Sequence, residues 1–195
     1  PTTLDLGPQP WAHRGAIEVN KLKPEMAKAR RTVRVERKHG LWTINGETWD
    51  DVVRSNYTKV FANPEPNATE IWEVENSSGG WFHPLHIHLV DALVIGRNTT
   101  PDRKAFAWES GGKDVFYLGE NETVTALMQF TTGDGNAGGR YMTHCHNLVH
   151  EDHDMMIQFA VGDIDVNDPI SSDRPATDYE DEQPVVYGPS YPLGT

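Results

Sequence analysis

Residues 140–156 read Arg-Tyr-Met-Thr-His-Cys-His-Asn-Leu-Val-His-Glu-Asp-His-Asp-Met-Met, and they include the only cysteine of the chain, Cys145. A second stretch, residues 81–88, reads Trp-Phe-His-Pro-Leu-His-Ile-His. Together the two stretches hold seven of the nine histidines. Histidines that serve packing or solvation are normally scattered, so two dense clusters, one of them with the cysteine, predict metal binding.

The spacing within each cluster predicts which side chains share a face. Side chains of a β-strand alternate between its two faces. His144 and His146 should therefore point one way while Cys145 points the other, and His86 and His88 should share a face. The second cluster would then serve two metal sites at once. A few backbone bonds would join these sites, which suits electron transfer between them.

The cysteine site can be completed from nearby residues. His150 and Met155 follow Cys145 closely, and His83 comes from the other cluster. Two imidazoles, one thiolate and a weak thioether form the blue-copper ligand set. Zinc is the main chemical rival because it also accepts His and Cys. Zinc sites rarely need a methionine, however, and one zinc ion would not explain the surplus histidines.

The pattern along the rest of the chain indicates an all-β fold. Short segments rich in β-branched and apolar residues are separated by turn residues, with no alternation of strands and helices and no internal repeat. This series favours an antiparallel sandwich or barrel. The predicted strands are 32–36, 41–44, 70–75, 86–95, 114–118, 123–130, 140–145 and 155–161, and the first two flank a hairpin at His39-Gly40.

The composition divides the chain into three parts. Residues 1–30 are predicted to be an irregular, linker-like segment, residues 31–163 a folded domain, and residues 164–195 an acidic, proline-rich tail. Eight of the 17 lysines and arginines lie between Lys21 and Lys38. We interpret this basic stretch as part of a solvated linker.

Charge and hydropathy exclude some partners and favour a location. A net charge of −12 argues against a nucleic-acid partner. No stretch approaches the roughly 18 apolar residues of a membrane helix, and the chain starts without a methionine or signal segment, as expected of a cleaved product. N-glycosylation sequons predict a secreted glycoprotein with these segments at its surface; they lie at Asn56, Asn67, Asn76, Asn98 and Asn121.

The two clusters resemble the last two copper motifs of the multicopper oxidase family. The patterns are H-x-x-H-x-H and H-C-H-x-x-x-H-x-x-x-x-M. The sequence around them is most similar to the bilirubin oxidases of that family. The resemblance covers about residues 32–161. It implies a Greek-key cupredoxin β-sandwich. It also implies a type 1 copper at His83, Cys145, His150 and axial Met155, a type 2 copper at His86, and a type 3 pair at His88, His144 and His146.

The resemblance further implies an activity. The family oxidises small aromatic donors and reduces O2 to water, so we expect phenolic, aminophenolic or tetrapyrrole donors. Their electrons would enter through an exposed edge of His83 or His150, beside Trp81, which either lines the donor site or packs. Glu151 matches a residue that serves proton delivery in a related laccase. Four cluster histidines are missing, so we expect an N-terminal polypeptide with further cupredoxin domains to complete the enzyme.

Three other functions remain open from the residues. A blue-copper electron carrier needs only the cysteine site and leaves the other cluster histidines unexplained. A two-domain copper nitrite reductase lacks a histidine directly after the cysteine, unlike His146 here. A cupin-type metal protein gives no reason for Cys145 to stand between two histidines. A copper count and a visible spectrum would separate these alternatives.

Overall fold

A computed structural model describes residues 19–98, 105–131 and 138–162, and within them two β-sheets account for most of the regular structure. The first sheet has the order β2 (Leu41–Ile44), β1 (Ala29–Lys38), β3 (Thr69–Asn76), β7 (Thr123–Gln129) and β5 (Ala92–Arg97). The second has the order β6 (Val115–Leu118), β4 (His83–Ile87), β8 (Gly139–Cys145) and β9 (Met156–Val161). Two short helices accompany them, α1 (Trp49–Arg54) and α2 (Leu148–Glu151), with 3-10 turns at Val19–Lys21, Pro24–Met26 and Ala107–Glu109.

The hydrophobic core draws side chains from both sheets. In β1, Val33 and Val35 are fully buried while Arg34 between them is exposed, as strand alternation requires. Trp72 of β3 packs edge-to-face against Phe159 of β9 with ring centroids 5.7 Å apart. The all-β prediction is confirmed. Within the described ranges, no helix is long and apolar enough to cross a membrane.

Two details of the predicted strands are wrong. The segment 86–95 is not one strand: β4 ends at Ile87, β5 begins at Ala92, and they belong to different sheets. Leu89, with φ of 74°, lies in the turn between them. A run of apolar residues looks the same in sequence whether the chain stays in one sheet or crosses to the other. The sandwich is also not wholly antiparallel, because β1 and β3 pair in parallel. The β1–β2 hairpin is confirmed.

The basic stretch belongs to the folded domain rather than to a solvated linker. Arg31 makes a two-pronged ion pair with the buried Glu70, at 2.7 and 2.9 Å. Val19 and Leu22 are buried in a small cluster on β3 and β7. The packed part of the chain therefore begins before residue 31. Residues 1–18 and the predicted tail, 164–195, lie outside the described residues.

The sequons do not all lie at the surface. Asn56, Asn67 and Asn121 are exposed and have positive φ, as is common for asparagine in turns, and Asn98 is half-buried. Asn76 is only 3% exposed, which contradicts the predicted surface position of this sequon. The other four remain predicted glycosylation sites.

A buried ion cluster ties the segment after β5 to the sheet. Arg97 is fully buried, and its guanidinium donates to Glu109 (2.9 Å) and lies 2.8 Å from Glu122. The ring of Phe106 covers the guanidinium at 4.5 Å. Two carboxylates can be buried beside one guanidinium because each carboxylate accepts a hydrogen bond.

Candidate metal centres

The pairing of β4 with β8 sorts the two histidine clusters onto opposite faces of one sheet. Leu85 pairs with Cys145, and His86 pairs with His144. Paired residues on antiparallel strands share a face. Leu85 and Cys145 are fully buried in the core, whereas on the opposite face His86 is half-buried and His144 is 5% exposed. The predicted division into two sites thus follows from this register.

The inner site gathers three potential ligand atoms. His83 Nδ1 lies 3.5 Å from Cys145 Sγ, and His150 Nδ1 lies 3.7 Å from the same sulfur. The two Nδ1 atoms are 3.1 Å apart. Met155 is fully buried next to them, and its backbone bonds to both Cys145 and His150. Buried nitrogen and sulfur atoms that converge in this way could hold one metal ion.

The outer site gathers four of the five remaining cluster histidines. Ligand atoms of His86, His144 and His146 lie within 4.8 Å of one another. His88 joins them, with its Nε2 atom 3.2 Å from Nε2 of His144. His86 Nδ1 donates to the backbone carbonyl of Asp114 at 3.0 Å, which leaves Nε2 for a metal.

The comparisons with known proteins agree with this geometry. The sequence model of the family described as multicopper oxidase matches residues 21–165. The chain belongs to the multicopper oxidase family. It is 45% identical over 119 residues to a bilirubin oxidase of Albifimbria verrucaria, covering 60% of this chain and 19% of that protein. It is 37% identical over 157 residues to a laccase of Haloferax volcanii, covering 80% of this chain and 23% of that protein.

A solved relative has the same architecture. The McoA multicopper oxidase from Aquifex aeolicus superimposes with a TM-score of 0.65 at 30% identity, over 75% of this chain and 32% of that one. The cupredoxin fold expected from the resemblance is confirmed. The matched part of this chain spans about a fifth of the length of each of the two relatives named above.

Copper, the cofactor of this multicopper oxidase family, fits the donor set of the inner site. Two imidazoles and a thiolate with a methionine beside them are the ligand types of mononuclear blue copper. The site also lies in an apolar core, which suits a thiolate–copper bond that must be kept from water. Zinc sites rarely use a methionine, so the buried Met155 beside these ligands favours copper over zinc.

Burial sets the protonation of the inner site before any metal binds. Desolvation, and then repulsion from His150, lowers the pKa of His83 to about 4. Desolvation also lowers the pKa of His150. It raises the pKa of Cys145 to about 11, against a weaker opposing effect from the backbone N–H of Asn147. At neutral pH the histidines offer lone pairs, and the thiol releases its proton when a metal binds.

The route from solvent to the inner site differs from the sequence prediction. His83 and His150 are 0% and 1% exposed, so the expected exposed histidine edge is wrong. Two tryptophans cover them. Trp42 stacks on the His150 ring with centroids 4.0 Å apart, and Trp81, 45% exposed, meets the same ring edge-on at 5.4 Å. Trp42 was missed because it lies in β2, far in sequence from both clusters.

Glu151 lies between the two sites. Helix α2 places it next to His150, yet its carboxylate reaches the outer site, with Oε1 3.3 Å from Nδ1 of His144. The pKa of His144 is lowered by desolvation, and Glu151 partly offsets this effect. The second carboxylate oxygen is buried and has no hydrogen-bond partner among the described residues. His153, by contrast, donates to the Val149 carbonyl at 2.6 Å and joins neither site.

Proposed function

We propose that this chain supplies the type 1 copper site and half of the trinuclear cluster of a copper oxidase. The type 1 ligands would be His83, Cys145 and His150 with axial Met155. The cluster ligands would be His86, His88, His144 and His146. The observation that carries the proposal is the alternation of side chains at the end of β8. Cys145 faces the inner site, and its neighbours His144 and His146 face the outer site.

The proposed reaction couples two half-reactions. Four phenolic, aminophenolic or tetrapyrrole donors each lose one electron, and O2 takes up four electrons and four protons to give two waters. Bound copper supplies the one-electron redox chemistry at Cys145 and the oxygen chemistry at the histidine face. The chain itself supplies a short covalent path, because Cys145 is bonded through the backbone to both His144 and His146.

The donor would dock against exposed apolar side chains over His150. Trp81 is half exposed, and Leu148 and Val149 of helix α2 are 65% and 64% exposed. An aromatic donor gains by stacking on an indole and by removing apolar surface from water. Since both histidine rings are buried, the donor would pass its electron through the layer formed by Trp81 and Trp42.

Glu151 would serve the proton side of the reaction. Its contact with His144 would orient that ring, and its buried, unpartnered oxygen would offer a proton-accepting position close to the outer site. Glu151→Gln keeps the shape and removes the charge. We expect it to slow oxygen uptake, because the proton-accepting carboxylate is lost, while the visible spectrum of the inner site stays unchanged. A variant that takes up oxygen as fast as the wild type would remove Glu151 from this role.

Further histidine ligands for the outer site would come from other cupredoxin domains. His146 is exposed and His86 and His88 are half-buried, so the outer site is open on one side. Family members hold eight cluster histidines, and this face offers four. Domains elsewhere in the polypeptide, or in an associated chain, would close the cluster.

The experiment that tests this proposal measures copper content and oxygen uptake with a phenolic donor. The chain is measured alone and together with N-terminal cupredoxin domains carrying two H-x-H motifs. We expect at most one tightly bound copper and no oxygen uptake for the chain alone, and four coppers with turnover for the assembly. Turnover by this chain alone would contradict the shared site. An assembly that binds one copper and leaves O2 untouched would indicate an electron carrier instead.

A further inference from the structure

The segment before β4 is held by the buried side chain of Asn76. Its Nδ2 amide donates to the carbonyls of Trp81 (2.7 Å) and Gly119 (2.8 Å). A carbonyl oxygen can only accept, so these two bonds settle which end of the side chain is nitrogen. Both amide protons are then used.

The other end of Asn76 uses the only proton of a neighbouring hydroxyl. Oδ1 accepts from the backbone N–H of Ser78 at 3.0 Å and lies 2.6 Å from Ser78 Oγ. An oxygen–oxygen separation this short needs a proton between the atoms, and the amide oxygen has none. The Ser78 hydroxyl therefore donates to Asn76.

The same hydroxyl oxygen also contacts a proposed copper ligand. Ser78 Oγ lies 2.8 Å from Nε2 of His83. Because the hydroxyl proton is already committed to Asn76, the proton in this contact must come from the ring. His83 thus carries its proton on Nε2. Its Nδ1 atom keeps a lone pair, and that atom faces Cys145 Sγ at 3.5 Å.

We infer that Asn76 and Ser78 are positioning residues that fix the tautomer and orientation of His83 for copper. This inference rests on the proposed function of the cysteine site. Each hydrogen bond is donated in the same direction, from His83 Nε2–H to Ser78 Oγ and from Ser78 Oγ–H to Asn76 Oδ1. It is anchored on Gly119 and Trp81, so the ring position is linked to the turn after β6.

The hydrogen bond from His83 Nε2–H to Ser78 Oγ also changes how strongly His83 Nδ1 binds copper. A ring that donates its second N–H to an acceptor is a stronger base at its other nitrogen. Cu(II), with its higher charge, depends on that basicity more than Cu(I). Loss of such a partner typically weakens metal binding about tenfold or more. A tenfold weaker Cu(II) site with unchanged Cu(I) affinity corresponds to a rise of about 59 mV in a one-electron potential.

The test compares three variants of the copper-loaded chain. Ser78→Ala removes the hydroxyl, Ser78→Thr keeps one, and Ser77→Ala is the matched control, because Ser77 is the exposed neighbour. The readouts are the redox potential of the cysteine site and, in the metal-free chain, the position of the His83 ring proton from nitrogen-15 NMR.

We expect Ser78→Ala to raise the potential and to release the ring proton from Nε2, with the threonine variant close to wild type and the Ser77 variant unchanged. A potential and a ring proton that do not move in Ser78→Ala would overturn the inference, and so would a threonine variant that behaves like alanine. If wild type shows no cysteine-dependent visible band, the proposed function fails instead, so the two failures are distinguishable.

Discussion

Acid should destabilise the metal-free chain well above the pH at which carboxylates titrate. His83 is fully buried, and its pKa falls from 6.5 to about 4 in the folded chain. The unfolded chain therefore takes up a proton below pH 6.5 that the folded chain refuses down to about pH 4. The stabilisation from a neutral His83 is complete above 6.5 and is lost as pH falls through this window.

The loss of unfolding free energy follows from the difference between the pKa values of His83 in the unfolded and folded chain. Between pH 7.5 and pH 4.5 the His83 shift alone corresponds to a loss of about 2.5 kcal/mol. The pKa values of half-buried His88 and of buried His144 and His150 are also lowered by desolvation, and these groups add losses in the same direction. The His83 loss alone is a quarter of the net stability of a typical domain, which is about 10 kcal/mol.

The assay is urea unfolding of the metal-free chain at several pH values, followed by tryptophan fluorescence. His83→Gln cannot titrate at this position and should remove about 2.5 kcal/mol of the pH dependence. His39→Asn is the control, because His39 lies exposed in the β1–β2 turn with φ of 51°, a conformation that asparagine tolerates. Stability that is flat from pH 7.5 to 4.5, or a glutamine variant as acid-sensitive as wild type, would refute the reasoning.

Three further predictions test other parts of the account. Met155→Leu should raise the potential of the cysteine site, measured by redox titration, because loss of a thioether donor disfavours Cu(II) more than Cu(I); a level or lower potential would move the axial role elsewhere. Arg97→Met should cost about 3–5 kcal/mol in urea unfolding, since it leaves two carboxylates buried and unpaired, and a cost near that of the exposed Arg30→Met would contradict this. Peptide mapping of the chain from a glycosylating host should find Asn76 unmodified, because its amide protons are committed; a glycan there would contradict its buried position.

The chemistry of the two sites could be predicted from sequence because it is local. Alternation along one strand separates Cys145 from His144 and His146, and no long-range information is needed for that. The sequence also pointed to His83 and His86, and the structure shows how β4 delivers them: His86 pairs with His144 of β8, and His83 pairs with Leu118 of β6. The family resemblance supplied the roles that spacing alone leaves open.

The features that the sequence did not predict depend on packing between residues far apart in the chain. Trp42 stacks on His150 although about a hundred residues separate them, and no local pattern in β2 signals this. The split of segment 86–95 follows from a crossing between sheets, which a run of apolar residues does not reveal. The burial of Asn76 likewise arises from contacts with Trp81 and Gly119, so its sequon looked like any other.

The central claim is that Cys145 forms one copper site and the opposite histidine face forms another. A copper titration followed by visible absorption tests it most directly, with wild type and Cys145→Ser side by side. We expect the first copper added to wild type to produce an intense visible thiolate-to-copper band, and the serine variant to bind copper only at the histidine face, without this band. A band that survives the substitution, or a wild-type chain that binds copper and never shows the band, would contradict the account.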